Sequence, residues 1–205
     1  MRARPIIFAA KVLSVAFTPF YLPLVALAGL LAFTYLSLLP VGYKLFLLFT
    51  VWLFTVFLPT MLIRLYRRYQ GWSRFELGAK ERRVIPYVIS IASYLLCYYF
   101  MASAHVPHFM GTIVMGALVI QVVCAIVNIF VKVSTHMAAI GGVAGALMAF
   151  AFVLGFNPVW WLCIVFLLAG LVGTSRMILR QHSLSQITLG FLVGAACAFV
   201  SVLVL

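Results

Sequence analysis

Acidic side chains are nearly missing from this chain. Of its 205 residues only Glu76 and Glu81 are acidic, against fourteen Lys and Arg, for a formal net charge of +12. That scarcity argues against mechanisms built on paired carboxylates or on carboxylate-held metal pairs. The four cysteines, Cys97, Cys124, Cys163 and Cys197, each sit inside an apolar run, and no CxxC or Cys/His zinc spacing exists. They read as small buried residues rather than ligands. There is no low-complexity segment and no internal repeat. What remains for chemistry is histidine and arginine.

Apolar residues, by contrast, make up 67% of the chain, and the mean hydropathy is +1.25. Soluble domains sit near half apolar, so this is an integral membrane protein. A helix needs about 20 apolar residues to cross a bilayer. By that rule the chain holds seven candidate spans, at 13–38, 44–66, 85–103, 109–131, 136–155, 159–178 and 183–205. Pro19 and Pro23 would kink or split the first. If it does not cross fully, the count falls to six. The breaks are short and carry turn residues: Pro40-Val41-Gly42, His105-Val106-Pro107-His108 and Asn157-Pro158. The expected fold is all-α, a single domain over 1–205 built as a bundle of six to seven transmembrane helices. Met1 to Arg4 before an apolar stretch resembles a signal peptide, but the run is too long and lacks a polar release, which predicts a retained first helix.

The one long polar interruption, Arg64 to Arg83, carries seven Lys and Arg, with Tyr66, Tyr69 and Trp72 as interfacial anchors. Its first half reads as an amphipathic connector on the membrane surface. With seven spans, this loop, the N-terminus, the Lys132–His136 turn and the Arg176–His182 turn all fall on one side, and only Lys44 lies opposite. A positive face towards membrane phosphates explains the charge better than nucleic acid does.

Chemistry concentrates in Ser175 to Gly194. Ser175-Arg176 is followed by His182 at the mouth of the last apolar segment, with Gln186 one turn on and Gly190 and Gly194 at four-residue steps along the same face. Arginine offers a planar fork of donors to phosphate oxygens. A neutral histidine nitrogen can attack phosphorus or carry a proton. A second motif, Lys132-Val133-Ser134-Thr135-His136, lies between the fourth and fifth spans. A serine hydroxyl and helix N-terminal N–H groups suit an anion there, and His136 can protonate a leaving oxygen. Its plainer reading is a Ser/Thr N-cap beside an interfacial histidine.

The first of these stretches resembles the third signature of the type 2 phosphatidic acid phosphatase family, SRxxxxxHxxxD. Ser175, Arg176 and His182 match at the right spacing, and Gln186 stands in place of the aspartate. The second resembles that family's PSGH signature in the form KxSxH, with Ser134 and His136 matching. The first signature, KxxxxxxRP, is blurred here: Lys80, Arg82 and Arg83 precede Pro86 at shorter spacing. The resemblance covers residues 80–194 and leaves the first two spans, 13–66, outside the motif-bearing core.

The resemblance implies an enzyme acting on a lipid phosphate. The candidate lipids are phosphatidic acid, phosphatidylglycerophosphate, a polyprenyl diphosphate and a lipid A phosphate. His182 would be the nucleophile, forming a phosphohistidine. His136 would be the general acid, and Gln186 would orient His182. Arg176, Arg83, Lys80, Arg82, Ser134, Thr135 and Ser175 would hold the phosphate. No metal and no cofactor are expected, and the partners are the lipid substrate and membrane lipids. The alternative is an inactive relative that binds lipid or serves as a scaffold. The expected location is the bacterial inner membrane. The positive-inside rule puts the basic face in the cytoplasm, whereas family sites usually face the periplasm or lumen.

Outside these motifs, His105 and His108 read as interfacial histidines on the opposite face. Gln121 and Asn128 share a face of the fourth span and suit interhelical hydrogen bonds, with Asn128 one turn from Lys132. Gly141-Gly142-x-x-Gly145 and Gly190-x-x-x-Gly194 predict close helix packing. Trp160-Trp161 reads as an interface belt.

Overall fold

The computed structural model describes residues 3–33, 35–69 and 80–204. Every regular element among them is helical: α1 (Ala3–Ala16), α2 (Leu22–Phe33), a 3-10 turn (Tyr35–Leu38), α3 (Val41–Trp52), α4 (Leu58–Tyr69), α5 (Lys80–Ser103), α6 (His108–Phe130), α7 (Thr135–Leu154), α8 (Val159–Ile178) and α9 (Leu184–Val204). A π-helical turn, Leu53–Phe57, joins α3 to α4 into one run from Val41 to Tyr69. It lies just ahead of Pro59, whose missing N–H leaves the ladder one donor short.

Among the described residues six helices are long and apolar enough to cross a membrane: Val41–Tyr69, Ile85–Ser103, His108–Phe130, Thr135–Leu154, Val159–Ile178 and Leu184–Val204. Phe130, Phe152 and Trp160 point outward with 81% of their surface exposed, a pattern that suits lipid rather than water outside the bundle. The expectation of one span over 13–38 needs correcting. The helix begins at Ala3, stops at Ala16 and restarts at Leu22. Pro19 lies in the break, and Pro23 sits in the first turn of α2, where its lack of an N–H costs nothing. Helix α2 then runs inward and meets Leu47, Val51 and Met110 through Leu27, Leu30 and Leu31.

Without a strong hydrophobic force between helices in lipid, close packing must come from small residues. Helices α7 and α9 show this directly. A Cβ on Gly141 would overlap the Phe191 carbonyl, one on Gly145 the Ala195 carbonyl, and one on Gly194 the Ala138 carbonyl. The two backbones therefore touch, as the glycine spacing predicts. Ser134 N–H also donates to Gln186 O at 3.3 Å, which ties the head of α7 to the first turn of α9. Gly155, at φ 68°, ends α7 in the left-handed conformation. Asn157 Oδ1 then accepts from Val159 N–H at 3.0 Å to start α8.

Helix α8 ends differently. Arg180 takes the left-handed conformation at φ 52°. Leu179 N–H donates to Ser175 O, and Gln181 N–H reaches back to Arg176 O at 3.1 Å. That is a Schellman-type reversal, and it turns the chain so that His182 faces back towards the end of the bundle carrying Arg176.

Candidate active site

The heads of α7 and α9, the tail of α8 and the break after α1 converge on one polar cavity of about 390 Å3. His136, Arg176 and His182 line it, from two separate stretches of sequence, together with Lys132, Thr135 and Arg67. Thr18, Pro19 and Phe20 close one side, while Tyr87, Gln121 and Asn128 form the other.

The nucleophile candidate, in the turn before α9, is held by the first turn of that helix. Gln186 Oε1 lies 3.1 Å from His182 Nδ1, and Ser183 N–H donates to the same oxygen at 3.3 Å. An atom that accepts from a backbone N–H is the carbonyl oxygen and cannot donate. His182 Nδ1 therefore carries its proton, and the ring's lone pair is on Nε2.

His136 sits on the first turn of α7, with Nε2 3.1 Å from the backbone oxygen of Ser14. Its Nδ1 is buried without a hydrogen-bond partner among the described residues, and so are Ser134 Oγ and Arg176 Nε. Ser134 is the N-cap residue of α7, yet its hydroxyl makes no capping bond. Arg176 donates from Nη1 to Ser14 Oγ at 2.7 Å. Unsatisfied buried polar atoms are costly, and these three surround a helix N-terminus, a place that favours anions.

Asn128 braces the back wall. Its Oδ1 accepts from Val133 N–H at 3.3 Å, and its Nδ2 donates to Tyr87 Oη at 3.3 Å, linking α6 to α5 and to the Lys132–His136 turn.

Not every expected residue reaches the cavity. Ser175 is buried and donates to Leu171 O at 2.8 Å, one turn back on its own helix, and it does not line the space. Lys80, Arg82 and Arg83 belong to the first turn of α5, but their side chains lie outside the described residues, as do Trp72 and Arg74. His105 and His108 lie away from the cavity, at the α5–α6 turn, where His108 Nε2 is 3.4 Å from Tyr98 Oη. Sequence reasoning passed over Ser14, Thr18, Arg67 and Tyr87. Arg67 was masked by the basic run around it. Ser14 gives no local signal, since its partners are more than a hundred positions away.

Pro19, Gln121 and Thr135 also border an apolar shaft of about 50 Å3. Leu22, Ala26 and Val143 line both that shaft and an apolar cavity of about 540 Å3 between α2, α7 and α8.

The class this defines is a multi-pass membrane protein with a basic, histidine-bearing site at one end of its helical bundle. The family model of the PAP2 superfamily matches residues 128–205, the part that carries both histidine motifs, so this segment is similar to that superfamily. No curated protein and no solved structure shows a significant match to the chain.

Proposed function

We propose that the protein is a lipid phosphate phosphatase of the bacterial inner membrane, working through a phosphohistidine and needing no metal. The observation that carries the reading is the convergence of His136, Arg176 and His182 on one cavity that shares lining residues with neighbouring apolar ones. A phosphate headgroup suits the first and a hydrocarbon tail suits the others. Phosphatidic acid, phosphatidylglycerophosphate, a polyprenyl diphosphate and a lipid A phosphate all meet that description.

In this mechanism His182 Nε2 attacks phosphorus while the P–O bond to the lipid breaks. His136, protonated at Nδ1, gives its proton to the departing oxygen. Water then attacks phosphorus while His136 takes its proton, the P–N bond breaks with its electron pair returning to His182 Nε2, and phosphate leaves. Arg176, Lys132, Arg67 and the head of α7, with Ser134 and Thr135, offset the charge on the phosphoryl oxygens in the transition state. Lys80, Arg82 and Arg83, one helix away in sequence, are further candidates for the same role.

A second reading has one specific observation behind it. Gln186 is neutral where the family pattern has a carboxylate, so the chain would bind a lipid phosphate without turning it over. Phosphate release by the purified protein in detergent, with chelator present and the four lipids as substrates, separates the two. Release that disappears in His182→Ala supports the phosphatase. Lipid binding without release by a folded protein supports the second reading.

A further inference from the structure

We propose that Ser14, in the last turn of α1, is a positioning residue that fixes both His136 and Arg176 for the reaction, an assignment that rests on the phosphatase reading. Helix α1 lies outside the matched segment 128–205 and is too short to cross a membrane by itself, yet its end contacts two residues that line the site.

The last carbonyls of a helix have no partner within it. In α1 they are taken up one by one. Leu13 O accepts from Phe17 N–H, and Val15 O accepts from Thr18 Oγ1. Ser14 O faces His136 Nε2 at 3.1 Å. A carbonyl only accepts, so Nε2 must hold a proton, and Nδ1 becomes the atom that gains and loses the proton in catalysis. That Nδ1 is buried and unpartnered. The Ser14 hydroxyl meanwhile accepts from Arg176 Nη1 at 2.7 Å, which pins one edge of the guanidinium and leaves Nε, also buried and unpartnered, for a phosphate oxygen.

Electrostatics adds to the geometry. The carbonyl end of a helix carries a partial negative charge of about half an electron. Here that end abuts an arginine and a histidine in a chain with two acids in total, neither of whose side chains is among the described residues. The end of α1 does part of the work that a carboxylate does in other histidine sites. Ser14 itself is buried, so water does not replace it.

Removing the hydroxyl tests the Arg176 arm. Ser14→Ala is expected to lower kcat about tenfold with KM within about twofold, and Ser14→Thr, which keeps a hydroxyl, to stay near the wild-type rate. The same variants titrated with inorganic phosphate should show binding weakened severalfold for Ser14→Ala and retained for Ser14→Thr. If the alanine variant does not accumulate, Ser14→Cys, with a poor acceptor of similar size, takes its place. A rate equal to wild type in Ser14→Ala, or a rise in rate or phosphate affinity, would overturn the proposal. A rise would mean that α1 obstructs the site. Should the wild type release phosphate from none of the lipids, the phosphatase reading fails, and the phosphate titration alone then decides whether Ser14 positions Arg176.

Discussion

Gln186 Oε1 stands 3.1 Å from His182 Nδ1 while accepting from Ser183 N–H. The amide thus sets the tautomer of the histidine but adds no negative charge to favour its cation. The two contributions separate by substitution. Gln186→Leu loses both and is expected to lower kcat by about ten- to a hundredfold. Gln186→Asp keeps the acceptor and adds charge, so kcat should rise above wild type. Phosphate release at saturating lipid measures both, and equal rates in all three chains would mean that Gln186 does not orient His182.

Arg67 and Arg68 are neighbours in the last turn of α4 and both are exposed, but only Arg67 lines the cavity. A charge-assisted contact to phosphate is worth about a factor of ten or more in binding. Arg67→Ala should raise KM about tenfold with kcat within about twofold, and Arg68→Ala should leave both near wild type. If the two variants behave alike, the basic segment acts as a diffuse attraction for anionic lipid and not as a ligand.

How far the sequence alone carries can be followed through particular residues. The spans from Val41 onward are legible because apolar run length is a direct consequence of bilayer thickness and because Pro107 and Asn157-Pro158 mark the turns. The glycine rows at 141–145 and 190–194 are legible for a similar reason, since backbone contact tolerates nothing larger. The N-terminal segment is legible only in part, through Pro19 and Pro23, which signal a kink or split. Hydropathy treats 13–38 as one run, whereas Pro19 divides it and Ser14 is drawn into the site. His136, Arg176 and His182 stand out in their motifs by residue type and spacing, and the structure brings all three to one cavity. Ser175 was expected beside them, but a hydroxyl on a helix in apolar surroundings bonds its own i−4 carbonyl, here Leu171 O. Arg67 and Ser14 depend on contacts between distant segments, which no local pattern encodes.

The α7–α9 contact should be the least tolerant part of the bundle. A methyl group on Gly194 would overlap the Ala138 carbonyl, a backbone atom that cannot swing aside, whereas one on Gly29 of α2 would meet nothing within 4 Å. Overpacking of this kind costs about 1–3 kcal/mol or more. Gly194→Ala should unfold at clearly lower temperature in detergent and lose activity with it, because this helix pair carries His136 and, through Gln186, holds His182 in the turn just before α9. Gly29→Ala should match or exceed the wild-type melting temperature. Equal melting for the two variants would show that α7 and α9 can separate without loss.

The turn after α8 offers the opposite change. Arg180 adopts φ 52°, which costs a residue with a side chain about 1 kcal/mol relative to glycine, and its own side chain is exposed. The reversal itself rests on backbone bonds, Arg180 N–H to Met177 O and Gln181 N–H to Arg176 O, which glycine keeps. Arg180→Gly should therefore raise the melting temperature by about 2–4 °C with phosphate release near the wild-type rate, since the position of His182 depends on the turn and not on the guanidinium. A gain in stability with unchanged activity identifies Arg180 as a residue carried at a conformational cost. Wild-type stability with a large loss of activity would instead place its charge among the groups that draw the lipid phosphate to the cavity.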